Sequence, residues 1–167
     1  MKTIVLSTLA AAGLVLGSAA FAAVSKKDQE FFKKAAGGGM FEVEAGKLAQ
    51  SKGQSDGVKS FGEMLVKDHS AANDELKALA GKKGVTLPAS VPASEQKKLD
   101  KLSKAKNFDK DFIKEVGLSD HKKDISLFEK TSKSADDADV KAFATKTLPT
   151  LKTHLQHAED LKKAGKH

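Results

Sequence analysis

The sequence predicts an all-α fold, a bundle of four long helices. Apolar residues recur at helical spacing over four long stretches, and no stretch shows the alternation of a half-buried strand. Gly and Pro fall at a few places that punctuate those stretches. Helix-start residues follow the breaks: Ser55 and Asp56 after Gly53, Ser94 after Pro92, and the run "SADDAD" before the last helix.

The first 22 residues, "MKTIVLSTLAAAGLVLGSAAFA", stand apart. Lys2 precedes an apolar run, and Ala20-Phe21-Ala22 supplies small residues around a cleavage point after Ala22. This is the pattern of a secretory signal. The apolar run is short for a membrane span, which needs about 20 residues. The expected mature chain is residues 23–167, one domain with one core, in the periplasm or outside the cell. It contains no cysteine, so neither disulfides nor thiolate ligands enter the argument.

The first helix is expected over residues 27–50, ended by Gly53. The second follows from the Ser55 or Asp56 cap to about residue 82 and stops at Gly84, a residue suited to a helix end. "VTLPASVPASE" is linker-like, with Pro88 and Pro92. A modest polar helix, "EQKKLDKLSKA", follows it. The third long helix is expected over residues 108–132 and the fourth over 138–163. Pro149 lies inside the fourth and predicts a kink, because apolar periodicity resumes at Leu151. Two helical hairpins joined by a long crossover carrying a short extra helix is the ferritin-like form of the four-helix bundle. A short internal match, "GVKSFG" (57–62) with "DVKAFA" (139–144), opens the second helix of each hairpin.

Charge excludes one class of function. The net charge is +7, but every one of the 29 basic residues is Lys. Arg, which clamps phosphate and reads guanine through two parallel hydrogen bonds, is absent. The lysines are interleaved with acids, so they read as a solvated surface and not as a nucleic-acid footprint. Weak attraction to anionic envelope surfaces is compatible with this balance.

The candidate site comes from polar residues that interrupt apolar stripes. On a helical wheel, at about 100° per residue, Glu42 falls near the centre of the stripe Phe31, Phe32, Ala35, Gly39, Gly46 and Ala49. Asp68 and His69 straddle the stripe of the second helix. His121 aligns with Ile125 and Phe128, and Asp120 with Val116 and Leu127. His154 sits at the inner edge of the fourth stripe, and His157 further round, at the boundary or surface. Counted from the hairpin turns, at about 1.5 Å per residue, Glu42, His69, His121 and His154 share a level to within about two turns. Three imidazoles with one or two carboxylates suit Zn, Cu(II), Fe, Mn or Ni. Asp68 and Asp120 would then orient ligand imidazoles. The competing reading is a layer of His and acid side chains that hydrogen-bond across helices and fix register, with no metal. Met40 and Met64 read as packing residues. No phosphate-binding glycine loop and no nucleophile triad can be traced, so an enzyme has the least support.

Four segments in this order, "FFKKAAGGGMFEVEAGKLA", "VKSFGEMLVKDHSAANDELKALAGKKGV", "FDKDFIKEVGLSDH" and "VKAFATKTLPTLKTHLQHA", resemble the exported bacterial family known as domain of unknown function 4142. The resemblance covers residues 28–161. It implies a ferritin-like bundle and an exported location, and places the family's polar positions on Glu42, Asp68, His69, His121 and His154. It implies no reaction. The chain departs from ferritin-like di-iron proteins, which carry Glu-x-x-His on two helices. Here the spacings are Asp68-His69, Asp120-His121 and His154-x-x-His157, and Tyr and Trp are absent. A single metal or a small ligand fits better than a di-iron oxidase centre.

Overall fold

The computed structural model describes residues 24–165; the expected signal segment lies outside them. Ser25 caps α1 (Lys26–Lys52), its hydroxyl accepting from the Asp28 N–H. Ser55 does the same for α2 (Asp56–Lys83) through the Val58 N–H. Gly84 ends α2 with φ of 65°, and the Val85 N–H reaches back to the Ala80 carbonyl. A left-handed residue followed by this long return bond is how helices close when Gly is available. The crossover carries α3 (Ala93–Ser103), which buries Leu99 and Leu102.

The third long stretch does not fold as one uniform α-helix. It consists of α4 (Phe108–Phe112), a π-helical segment (Ile113–Asp120) and α5 (His121–Ser134). The fourth, α6 (Ala138–Ala164), runs through Pro149 without interruption. The described residues are otherwise turns and linker, with no strand, so the all-α bundle of two hairpins and a crossover helix is what the sequence encodes.

The hairpins α1–α2 and α5–α6 pack on each other along two apolar halves. One half holds Phe31, Phe32, Leu76, Phe128, Phe143 and Leu151. The other holds Phe41, Phe61, Leu65, Phe112, Val116 and Ala158, with Leu99 and Leu102 of α3 closing it. Burial of each such side chain stabilises the fold by about 1.5–3 kcal/mol, so apolar packing supplies the driving force. Within the first hairpin α1 and α2 cross at Gly46 and Gly62. A Cβ on Gly46 would stand 2.7 Å from the Gly62 carbonyl oxygen, and one on Gly62 would stand 2.6 Å from that of Gly46.

Each hairpin turn is held by a carboxylate from the other half of the molecule. Asp109, at the start of α4, accepts from the Gln54 and Ser55 N–H groups at 2.9 and 2.8 Å. Asp28, fully buried in the first turn of α1, accepts from the Asp136 and Asp137 N–H groups at 3.1 and 2.9 Å. Both acids satisfy main-chain donors that the helix ends leave open. Both also begin a matching motif, "DQEFF" (28–32) and "DKDFI" (109–113).

Candidate metal centre

Between the two apolar halves lies one polar layer. Every long helix crosses it at a buried polar residue: Glu42 on α1, His69 on α2, His121 at the start of α5 and His154 on α6. Apart from Phe41 beside Glu42, the buried apolar residues before and after each of these positions belong to different halves of the core.

Three of the four converge. The rings of His69, His121 and His154 stand 5.3–5.6 Å apart, centroid to centroid. One nitrogen from each lies within 4.8 Å of the other two. Phe61 closes the layer from one side, with its ring centroid 6.2 Å from His121 and 6.3 Å from His154. It also stacks on His157 at 5.2 Å, which places the fourth imidazole at the boundary of the site.

The hydrogen bonds fix which nitrogens carry protons. His121 Nδ1 lies 2.9 Å from the Val116 carbonyl oxygen. That oxygen can only accept, so Nδ1–H donates and Nε2 is bare. The π-helical segment makes this bond available. The main-chain N–H of His121 turns to Leu118, and the carbonyl five residues back is taken by the ring instead. On α6, His154 Nε2 lies 2.9 Å from Asp68 Oδ2. Donation to that carboxylate leaves His154 Nδ1 bare. The two bare nitrogens, His121 Nε2 and His154 Nδ1, face each other at 3.2 Å. His69 Nε2 is buried with no hydrogen-bond partner. Two lone pairs, on His121 and His154, and one unpartnered nitrogen of His69 therefore share one small volume.

Burial holds all three imidazoles neutral. It pushes His69 well below the ordinary histidine range, helped by His121 and His154, and lowers His154 against the pull of Asp68. His121 is pushed down to about 4, burial outweighing its bond to Val116. Neutral imidazoles with free lone pairs are the form that coordinates a metal.

The remaining predicted residues occupy different places. Asp68, two-thirds buried, partners His154 across the bundle and not its sequence neighbour His69. Glu42 is fully buried, with Oε1 3.5 Å from His121 Nδ1. That is the nitrogen turned to Val116, on the far side of the ring from the cluster. Burial raises the Glu42 carboxyl well above its usual range, with Asp124 and Asp120 adding to the effect. Burial disfavours the charged form of both Glu42 and His121, which weakens any ion pair between them. Asp120 meets two ammonium groups, Lys98 and Lys123, each at 3.0 Å. Sequence reasoning passed over Asp124, which lies on the same side of the bundle; burial and Asp120 raise its carboxyl to about 7. Its signal was the spacing Asp120-x-x-x-Asp124, one helical turn. Lys98 had no local signal, because the crossover sets its position.

Solved structures with the same fold include two copper and silver complexes. CopM in its Cu(I)-bound form superposes with a TM-score of 0.70 at 15% identity, over 82% of this chain and 96% of that one. CopM in the Ag-bound form gives 0.67 at 16% identity, over 82% and 95%. A DUF305 fragment from Deinococcus radiodurans gives 0.72 at 10% identity, over 85% and 99%. At these identities the likeness is one of fold. No curated protein matches the chain. The family model for a domain of unknown function, DUF4142, matches residues 14–161, and the chain belongs to that family.

Proposed function

We propose that this protein is an exported metal-binding bundle that holds one Cu(I) ion on His69, His121 and His154. The convergence of three buried imidazoles, two with bare nitrogens facing each other and one with an unpartnered nitrogen, carries this reading. Without a cation, two lone pairs oppose each other at 3.2 Å in a site where burial disfavours a proton. A cation on the three nitrogens removes that repulsion.

The charge of the layer selects among metals. Three neutral imidazoles and the Asp68 carboxylate together carry −1. A monovalent ion leaves the layer neutral, whereas a divalent ion leaves a buried positive charge, which is expensive in a low dielectric. Imidazole suits copper and also zinc, so ligand type alone does not decide between them. The Cu(I)- and Ag-bound states of CopM on the same fold support a monovalent ion. Asp68 orients His154 and the Val116 carbonyl orients His121, the usual role of groups behind a ligand imidazole. Glu42 stands behind His121 and Asp120 is held by lysines, so neither is a ligand in this reading. The role is binding, buffering or stress protection in the cell envelope. Among the described residues no helix is long and apolar enough to cross a membrane.

The second reading is a structural layer in which a proton sits between His121 and His154. The 3.2 Å nitrogen–nitrogen distance also suits that hydrogen bond. Titration of Cu(I) against a chromophoric chelator separates the two. One equivalent is expected for residues 23–167, with loss of binding in His121→Gln and His154→Gln variants that keep their helical circular dichroism. A protein that leaves all Cu(I) on the chelator returns the layer to a packing role.

A further inference from the structure

A cavity of about 620 Å³ opens between α1, the crossover and α5. Its polar lining includes Glu42, Asp120, Asp124 and Lys98. Glu42 is fully buried, and neither of its carboxyl oxygens has a hydrogen-bond partner. A buried carboxyl without a partner is an anomaly, since such groups are normally satisfied. Asp124 shares the wall. Asp120 Oδ1 faces the same space and already accepts from two cations, the Lys98 and Lys123 ammoniums, each at 3.0 Å. The Lys98 ammonium lies 5.1 Å above the Phe41 ring, and its charge acts on both Glu42 and Asp124. Three acids, from α1, the π-helical segment and α5, thus line a cavity with two amines, Lys98 from the crossover and Lys123 from α5.

We propose that this cavity is a second cation site, separate from the imidazoles, in which Glu42, Asp120 and Asp124 take a hydrated hard divalent ion of the Mg²⁺ or Mn²⁺ class, and that Lys98 and Lys123 are its built-in competitors. The class follows from the donors, which are oxygen only, and from the room. Such ions keep several waters and bind through one or two carboxylates. The volume admits a hydrated ion, while the acids are too far apart to close directly on a bare one, since only the imidazole trio meets that condition among the described residues. Lys33, Lys34 and Lys130 stand at the rim with exposed ammonium groups. They weaken attraction of free cations but are screened by salt. The site does not depend on what the imidazoles bind.

The experiment is Mn²⁺ titration of the untagged chain 23–167, reading free Mn²⁺ by electron paramagnetic resonance. The wild type is expected to bind one equivalent. Lys98→Met removes one of the two competitors, the less exposed one, and is expected to tighten binding about tenfold, the scale of removing one nearby charge. Asp124→Asn and Glu42→Gln are expected to weaken it by about the same factor, and His154→Gln to leave it unchanged. Absence of Mn²⁺ binding in both wild type and Lys98→Met overturns the proposal. So does binding that survives Asp124→Asn and disappears in His154→Gln, which would put the ion on the imidazoles. If Glu42→Gln fails to fold, the Lys98→Met gain and the Asp124→Asn loss decide the matter.

Discussion

Asp124 gives the sharpest test of how this bundle handles a partly buried charge. Its carboxyl moves from an ordinary 3.8 to about 7, first because burial penalises the charged form and then because Asp120 adds like charge. Between those values the folded chain binds more protons than the unfolded one, so this group lowers stability as pH rises through the window. Each pH unit is worth about 1.4 kcal/mol, so the full interval amounts to about 4 kcal/mol at neutral pH. Asn removes the charge and keeps the shape. Asp124→Asn is therefore expected to be more stable than the wild type by about 2–4 kcal/mol at pH 7.5, the lower figure allowing for loss of the acid's own contacts. At pH 4 the two should be equal to within about 0.5 kcal/mol. Urea unfolding followed by circular dichroism at pH 4, 5.5 and 7.5 reads both numbers. A difference that does not change with pH, or a variant less stable at pH 7.5, would refute the claim that this carboxyl is desolvated.

His121 has the opposite sign: its folded value of about 4 lies below the ordinary 6.5, so stability is lost as pH falls through that interval. Its share is roughly 3 kcal/mol, and His121→Gln should flatten the acid limb of the unfolding profile. If the three imidazoles hold Cu(I) as proposed, burial that keeps them neutral into acid means the ion should be held without loss from pH 7 to about 5.5 and released near pH 4, measured by chelator competition. Gly62→Ala should cost about 2–4 kcal/mol, since its Cβ would press on main chain and on the Ala49 methyl; a thermal melt within two degrees of wild type would contradict the close crossing. Asp109→Ala should cost about 2 kcal/mol by leaving the Gln54 and Ser55 N–H groups without their acceptor, and hydrogen exchange should speed up at those two amides.

The helices were legible because their signals are local. Ser55, Gly84 and the acids before α6 mark ends that the structure reproduces to within a residue or two. The layer was legible because Glu42, His69, His121 and His154 interrupt apolar stripes at one level, and an inward polar group is conspicuous on a wheel. What the wheel could not supply was rotation. The π-helical segment adds backbone between Phe112 and His121, and no residue type announces it. That segment sets the direction of His121, and so decides that its Nε2 meets His154 while Nδ1 meets Val116. Glu42 is turned inward as the wheel implies, but whether it stands on the face of the imidazole cluster or behind His121 depends on that same rotation. Lys98 was illegible for a different reason. It belongs to a helix whose own sequence reads as polar surface, and only the crossover path brings it to Asp120.

The crossed carboxylates at the hairpin turns have a consequence for how the molecule assembles. Asp28 seals the turn that precedes α6, and Asp109 seals the turn that precedes α2. Neither hairpin can finish its own bend from its own residues; each borrows an acid from its counterpart. Reciprocal exchange of one patch for the same patch is the logic of a two-fold symmetric dimer. Here the crossover joins the two partners into one chain, with Asp28 and Asp109 as equivalent residues. Separated halves should dimerise or remain loose, and when mixed should recover the ordered turns of the intact chain. The imidazole layer lies across the seam between the halves, so whatever it binds also fastens the two half-molecules together.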